Sequence, residues 1–392
     1  MDLTYNPEEE RFRGEVRTFL KSNLPAGWGT PSYSAPRGRA YLEFMRDWTR
    51  KLGKQGYLGM SWPREFGGRG ATQIEVAIFN EEMARFRAPT PLNIIGLTMA
   101  GPTIIAHGTD EQKNRHVAKT LSGDQLWCQG FSEPGAGSDL ANLRTRAELK
   151  GDEFIVNGQK VWTSMAHFAD WCFLLVRTDP AAPKHRGISY LLVDMKTPGV
   201  TVRPLRQITG EAEFNEVFFE DVHVPRENLV GRINDGWRVA MTTLSNERGT
   251  MAFALAARFE NTFNEVADLC RKMGGRTNPM ARQQVAQFYI DLQVLKYSLY
   301  RNFSKIIRGG TPGPEGSISK LWWSELDQRM SDFAATMQGA ASQLVDGSPY
   351  AVEDGRWQAG LLRSRCTTIA AGTSEIHRNT IAERLLGLPK GR

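Results

Sequence analysis

Apolar residues near the start of the chain repeat at helical spacing. Phe12, Val16, Phe19 and Leu20 fall at i, i+4, i+7 and i+8, which is one stripe along a helix. Asn6-Pro7-Glu8 ahead of them supplies a cap and a first-turn proline, so a helix is predicted to begin there. Helical patterns also cover Arg37 to Lys54, Gln73 to Arg87, and a short segment opened by Asp110-Glu111-Gln112. The pattern then changes. Phe154-Ile155-Val156 and Val161-Trp162-Thr163 flank Asn157-Gly158, and Asn-Gly between β-formers predicts a hairpin. Trp171 to Arg177, Gly187 to Met195 and Glu216 to Val224 are β-branched or aromatic runs bounded by turn-forming residues, and each reads as a strand. Helical patterning resumes at Gly236. It covers Leu244 to Phe259, Arg282 to Ile307, Ser317 to Gln343 and Thr373 to Leu386, where Gly387-Leu388-Pro389 stops it.

The order is helices, strands, helices. It divides the chain into a helical segment at 1–124, a β segment at 125–232 and a helical segment at 233–392. Strands do not alternate with helices, so the class is α+β and a doubly wound parallel sheet is disfavoured. With 392 residues, 41% of them apolar and 23% charged, the chain has material for more than one core. The net charge of +6 comes from 49 basic and 43 acidic residues spread along the sequence. No Lys/Arg run marks a nucleic-acid surface. Cys128, Cys172, Cys270 and Cys366 form no CxxC pair, which argues against a zinc site or redox dithiol and for a reducing compartment. The acidic N-terminus does not read as a signal peptide, and no apolar run has membrane-spanning length. The expectation is a cytoplasmic enzyme without a membrane span.

No P-loop, HExxH or GxGxxG is present. Four other segments carry potential chemistry. Phe131-Ser132-Glu133-Pro134-Gly135-Ala136-Gly137-Ser138-Asp139 combines small residues, which let backbone approach a ligand, with two hydroxyls. Taken alone it also reads as a plain Gly-rich loop. Lys160-Val161-Trp162-Thr163-Ser164 places Trp162 and Ser164 on one face if it is a strand. Gly372-Thr373-Ser374-Glu375 opens the last helix, where unpaired N–H groups attract an anion and where the same residues serve as an ordinary cap. Leu244-Ser245-Asn246-Glu247-Arg248-Gly249 reads by itself as a solvated Glu-Arg pair.

Together and in this order, the four segments resemble the acyl-CoA dehydrogenase family. Ser132 to Asp139 looks like its most specific signature, Lys160 to Ser164 like its flavin-facing strand, and Gly372 to Pro389 like its C-terminal signature. The resemblance implies an N-terminal helical domain, a central antiparallel β-barrel domain and a C-terminal four-helix bundle. It implies FAD as cofactor, an acyl-CoA substrate desaturated at its 2,3-bond, and electron-transferring flavoprotein as acceptor. Gln129, Phe131, Ser132, Trp162, Ser164, Thr373 and Glu375 match FAD contacts of the family, and Ser138, Arg248 and Gly372 match positions beside the acyl-CoA. The implied reaction takes the α-proton with a carboxylate base while the β-hydrogen leaves as hydride to flavin N5. Hydrogen bonds to the thioester carbonyl stabilise the developing enolate.

One departure from the family pattern decides the base. Most members carry it just before the Gly-Thr of the C-terminal signature, where this chain has Ala371. A minority, including the isovaleryl and long-chain enzymes, place it beside the arginine of another helix, and the matching residue here is Glu247. Elements that reach FAD across the subunit interface are also altered, around Arg271 to Gln284 and at Thr336-Met337-Gln338-Gly339-Ala340. A homotetramer and a heterotetramer therefore both stand. Two alternatives remain beside the active dehydrogenase: a non-catalytic or half-site subunit of a hetero-oligomer, and an oxygen-using relative such as an acyl-CoA oxidase or flavin monooxygenase.

Overall fold

The computed structural model describes residues 5–30, 33, 36, 38–246, 252–310 and 313–390. Helix α1 (Pro7–Asn23) starts at the predicted cap: the Asn6 side chain accepts from the N–H groups of Glu8 and Glu9, and Glu9 returns a bond to the Asn6 N–H. Three N–H groups at the start of the helix are thus satisfied in a closed capping box. Helices α2 (Gly38–Lys54), α3 (Gln73–Arg85), α4 (Gly101–His107) and α5 (Asp110–Ser122) precede the strands, and α6 (Gly236–Asn246) follows them. The C-terminal helices are α7 (Ala252–Lys272), α8 (Pro279–Ile307), α9 (Glu315–Gln338), α10 (Arg356–Ser364) and α11 (Ser374–Arg384).

Packing sorts these elements into two units. One gathers α1, α3 and α7 to α11. Its core joins Phe259, Val266 and Leu269 of α7, Phe288, Leu292, Leu295 and Leu299 of α8, Leu326 and Met330 of α9, and Trp357 of α10. On α3 the apolar stripe is broken by Glu82, which is buried and accepts from Arg13 Nε (2.7 Å) and Arg17 Nε (2.9 Å) of α1. The carboxylate is paired because an unpaired buried charge is prohibitive.

The other unit holds α2, α4, α5, α6 and one curled seven-stranded sheet. Its strands are β1 (Trp127–Gly130), β2 (Arg146–Lys150), β3 (Glu153–Lys160), β4 (Trp171–Arg177), β5 (Ile188–Asp194), β6 (Val200–Leu205) and β7 (Phe214–Pro225). β5 pairs with one edge of β4, while β1 and β2 share the other; β3, β7 and β6 continue the path. The strands β4 and β5 are buried at every position but the last, which explains their nearly continuous apolar sequence, broken within β5 only by the buried Ser189. The sheet is not wholly antiparallel: β1 runs parallel to β4, and β2 meets it in parallel at Arg146 and Arg177.

Three local expectations are corrected. Asn157-Gly158 is not a hairpin turn, because β3 runs straight through it; the turn lies at Gly151-Asp152, and Gly158 sits at a bulge in the β3–β7 pairing. The helix expected over Ser317 to Gln343 leaves α geometry after Gln338 and continues as a 3₁₀ turn. The helix expected over Leu244 to Phe259 is divided between the end of α6 and the start of α7, with 247–251 outside the described residues.

Candidate active site

The sequence-predicted site residues fall in both units. In the sheet unit, Gln129 lies on β1 opposite Phe173 of β4. The chain then leaves β1 at Phe131, whose ring is buried edge-on against Phe173 and Tyr190. Phe131 therefore serves the core with its side chain and faces any ligand only through its backbone. Ser132 is half-buried, and its carbonyl accepts from the Val161 N–H at 3.0 Å. Beyond it, Gly135, Gly137 and Ser138 are exposed, with open space where a Cβ would stand on either glycine.

A buried ion pair welds this loop to the end of β3. Lys160, which is completely buried, donates to Glu133 Oε1 at 2.8 Å and to the Phe131 carbonyl at 3.0 Å. Glu133 also accepts from the backbone N–H groups of Arg144 (2.7 Å) and Thr145 (2.8 Å). Burial opposes ionisation of Glu133, but the Lys160 ammonium and the donated hydrogen bonds outweigh it and hold the carboxyl below its ordinary range. Both residues lie inside the sequence motifs, which by themselves assign neither a role. The available signal was a lysine at an inward position of a strand.

Trp162 and Ser164 do not share the face of a strand. β3 ends at Lys160, and Trp162 adopts a left-handed φ of 60°. What they share is a backbone edge. The N–H groups of Val161, Thr163 and Met165 donate to the carbonyls of Ser132, Asn215 and Glu213. Those of Trp162 and Ser164 meet no acceptor among the described residues. The Trp162 indole is 60% exposed and stands edge-on to Phe214. An open apolar plate beside two unused donors suits a flat heteroaromatic ring with acceptor atoms on one edge, so this segment fits a flavin.

In the helical unit, Thr373 caps α11 and accepts from the Ile376 N–H. Glu375 is exposed in the first turn, where an acidic side chain complements the helix dipole. Ahead of the cap, Ala371 and Gly372 take positive φ values of 54° and 97°. The N–H groups of Ala371, Gly372 and Thr373 meet no acceptor among the described residues. Successive free N–H groups on a turn form a concavity for a negatively charged oxygen. The carbonyls of this strap are held by Lys320 and His377, two residues that sequence reasoning did not select. Glu247 and Arg248 lie outside the described residues.

Comparison with known proteins accounts for nearly the whole chain. Residues 6–124 match the acyl-CoA dehydrogenase N-terminal domain, 128–222 the middle domain and 234–386 the C-terminal domain. The chain is 39% identical to acyl-CoA dehydrogenase IpdE1 of Mycolicibacterium smegmatis, across 98% of each chain. Among solved structures it is similar to the Tcur3481-Tcur3483 steroid ACAD, with 31% identity, a TM-score of 0.86 and full coverage of both chains at 100%. The ChsE4-ChsE5 complex from Mycobacterium tuberculosis matches equally, at 31% identity, a TM-score of 0.86 and 100% of each chain. The chain belongs to the acyl-CoA dehydrogenase family and is an oxidoreductase acting on acyl-CoA thioesters.

Proposed function

We propose that the protein desaturates a CoA thioester at its 2,3-bond with FAD as cofactor and Glu247 as the base. What supports this reading is that the N–H groups of Trp162 and Ser164, beside an exposed indole, and separately those of Ala371 to Thr373 meet no acceptor among the described residues, each in a segment that resembles a family motif. FAD, when bound, supplies the acceptor for the hydride that leaves the β-carbon. Glu247 takes the α-proton, because the alternative family position is occupied by Ala371, which has no acid-base group. Arg248 and Ser138 orient the thioester and its pantetheine arm. The strap N–H groups receive the thioester oxygen as negative charge develops on it, donors fixed in advance for the transition state. Gln129, Phe131, Ser132, Thr373 and Glu375 complete the cofactor contacts, Phe131 through its backbone.

The acyl group we propose is bulky and ring-containing, since one similar structure is a steroid ACAD. We further propose assembly with other acyl-CoA dehydrogenase chains, as copies or as a sister subunit like the ChsE4-ChsE5 pair, and electron-transferring flavoprotein as acceptor. Ala371 keeps a second reading in play, a half-site subunit that completes its partner's cofactor site.

The test is anaerobic bleaching of the visible flavin band by straight, branched and polycyclic acyl-CoAs, in wild type and Glu247→Gln. Bleaching of the wild type, with a variant that retains FAD but stays oxidised, supports desaturation and the base together. A variant that bleaches as fast as wild type removes Glu247 from the role. A purified chain that carries no flavin, or that no thioester reduces, transfers the weight to the half-site reading.

A further inference from the structure

The strap before α11 has an unusual support. Lys320 of α9 is only 8% exposed, and its Nζ donates to the Gly372 carbonyl at 2.8 Å. Among the described residues it forms no salt bridge; its ammonium stands over the Trp323 ring, 5.9 Å from the centroid, and feels Glu375 and Cys366 only through space. His377 of α11, also buried, lies 3.1 Å from the Ala371 carbonyl through Nε2. That carbonyl can only accept, so Nε2 carries the proton. Gly372 permits the approach: a Cβ there would stand 2.8 Å from His377 Nε2.

The geometry has a direct consequence. Each peptide is planar and trans, so the N–H of a residue points opposite to the preceding carbonyl. With the Ala371 carbonyl drawn to His377, the Gly372 N–H is turned away from it. With the Gly372 carbonyl drawn to Lys320, the Thr373 N–H is turned the opposite way as well. The two side chains thus fix the direction of two unused donors. A neutral amide would satisfy a lone carbonyl equally well and would avoid the cost of burying a charge. An ammonium does more, because its field adds to the positive end of α11 where the strap meets the helix.

We infer that Lys320 and His377 are positioning residues for the reaction, clamping the carbonyls of Gly372 and Ala371 so that the strap N–H groups are preset to receive the thioester oxygen. This rests on the desaturase function proposed above. Neither residue touches the reacting atoms; they act through the strap, and the Lys320 charge strengthens polarisation of the bound carbonyl.

The experiment uses the FAD-loaded protein and an aryl-substituted 2-enoyl-CoA whose absorption band shifts to longer wavelength when its carbonyl is polarised. Lys320→Met, Lys320→Gln and wild type are compared for band shift, FAD content, melting temperature, kcat and KM. The expected result is a Lys320→Met protein with full FAD content, a band shift clearly smaller than wild type, kcat lower by ~10–100-fold and KM changed little, in line with loss of an outer support to a site. Lys320→Gln restores part of the shift by restoring the donor without the charge. Should Lys320→Met fail to fold, His377→Ala reads the same claim at the other carbonyl. An unchanged band shift in a folded variant overturns the inference, as does a loss confined to FAD content. If no acyl-CoA reduces the wild-type flavin, the function itself is wrong; if the wild type is active and the variants polarise the ligand normally, only the clamp is.

Discussion

His116 of α5 has no exposed surface and lies edge-on to Trp127 and Trp171, with ring centroids 5.3 Å and 4.6 Å away. Its Nδ1 is 3.1 Å from Gln125 Oε1, and its Nε2 has no partner among the described residues. Burial among apolar rings disfavours the imidazolium first, and the hydrogen bond to Gln125 offsets this only in part, so the pKa falls from 6.5 to about 4. The unfolded chain therefore binds a proton below pH 6.5 that the folded chain refuses until about pH 4. The stability this residue contributes is complete above that window and is lost progressively as pH falls through it. The urea midpoint of wild type is expected to drop from pH 6.5 towards 4, and that of His116→Gln to change less over the same range; parallel curves refute the assignment. At this scale the sequence was legible where a motif named a position and illegible where a partner had to be known. Thr373 and Trp162 stood in motifs. Lys320 stood in a helical stretch, Ile318 to Trp323, that marks no site, and only the fold shows that its ammonium ends at a carbonyl 52 positions away.

Among the elements, β3 shows how a local signal misleads. Asn157-Gly158 carries the composition of a two-residue turn, yet its neighbours pair as strand on both sides: Val156 with Val222 and Gln159 with Phe218. The glycine is required for another reason. It adopts φ +153°, and a Cβ would lie 2.7 Å from the Thr145 Cα and 2.6 Å from its Oγ1. The bulge lets β3 pass close to Thr145 before it delivers Lys160 and Trp162 to the site. Gly158→Ala is expected to cost about 1–3 kcal/mol in chemical denaturation, the usual range for forcing a strained backbone, and to weaken FAD retention along with it. A variant as stable as wild type would show that the bulge accommodates a side chain. Strands β4, β5 and β7 were readable because their apolar runs are continuous or long. β1, β2 and β6 were missed: β1 has only four residues, while β2 has one buried position and β6 has none. Weak burial leaves a weak alternation, and the pairing that makes them strands is long-range.

For the molecule as a whole, the order of helices, strands and helices was evident from periodicity, but the grouping of helices was not. α1 and α3 pack with α7 to α11, while α2, α4 and α5 pack with the sheet unit, because burial joins matching faces irrespective of chain order. The same accounting of faces leaves one side of α8 unfilled. Its inner face supplies Phe288, Leu292, Leu295 and Leu299 to the core, whereas Tyr289, Ile290, Val294 and Tyr297, at successive helical turns, are 43–53% exposed. Scattered apolar residues are normal on a surface, but a contiguous stripe flanked by polar Gln293, Ser298 and Arg301 is the kind of surface another chain would cover. In the assembly proposed above, a second acyl-CoA dehydrogenase chain covers this stripe. Ile290→Glu combined with Val294→Glu places two charges in it without touching the buried face. Light scattering is expected to show the wild type as a multimer and the double variant as a smaller species with unchanged helical circular dichroism. A charge buried without a counter-ion at an interface is strongly unfavourable, so an assembly that survives both substitutions would place the contact on another surface.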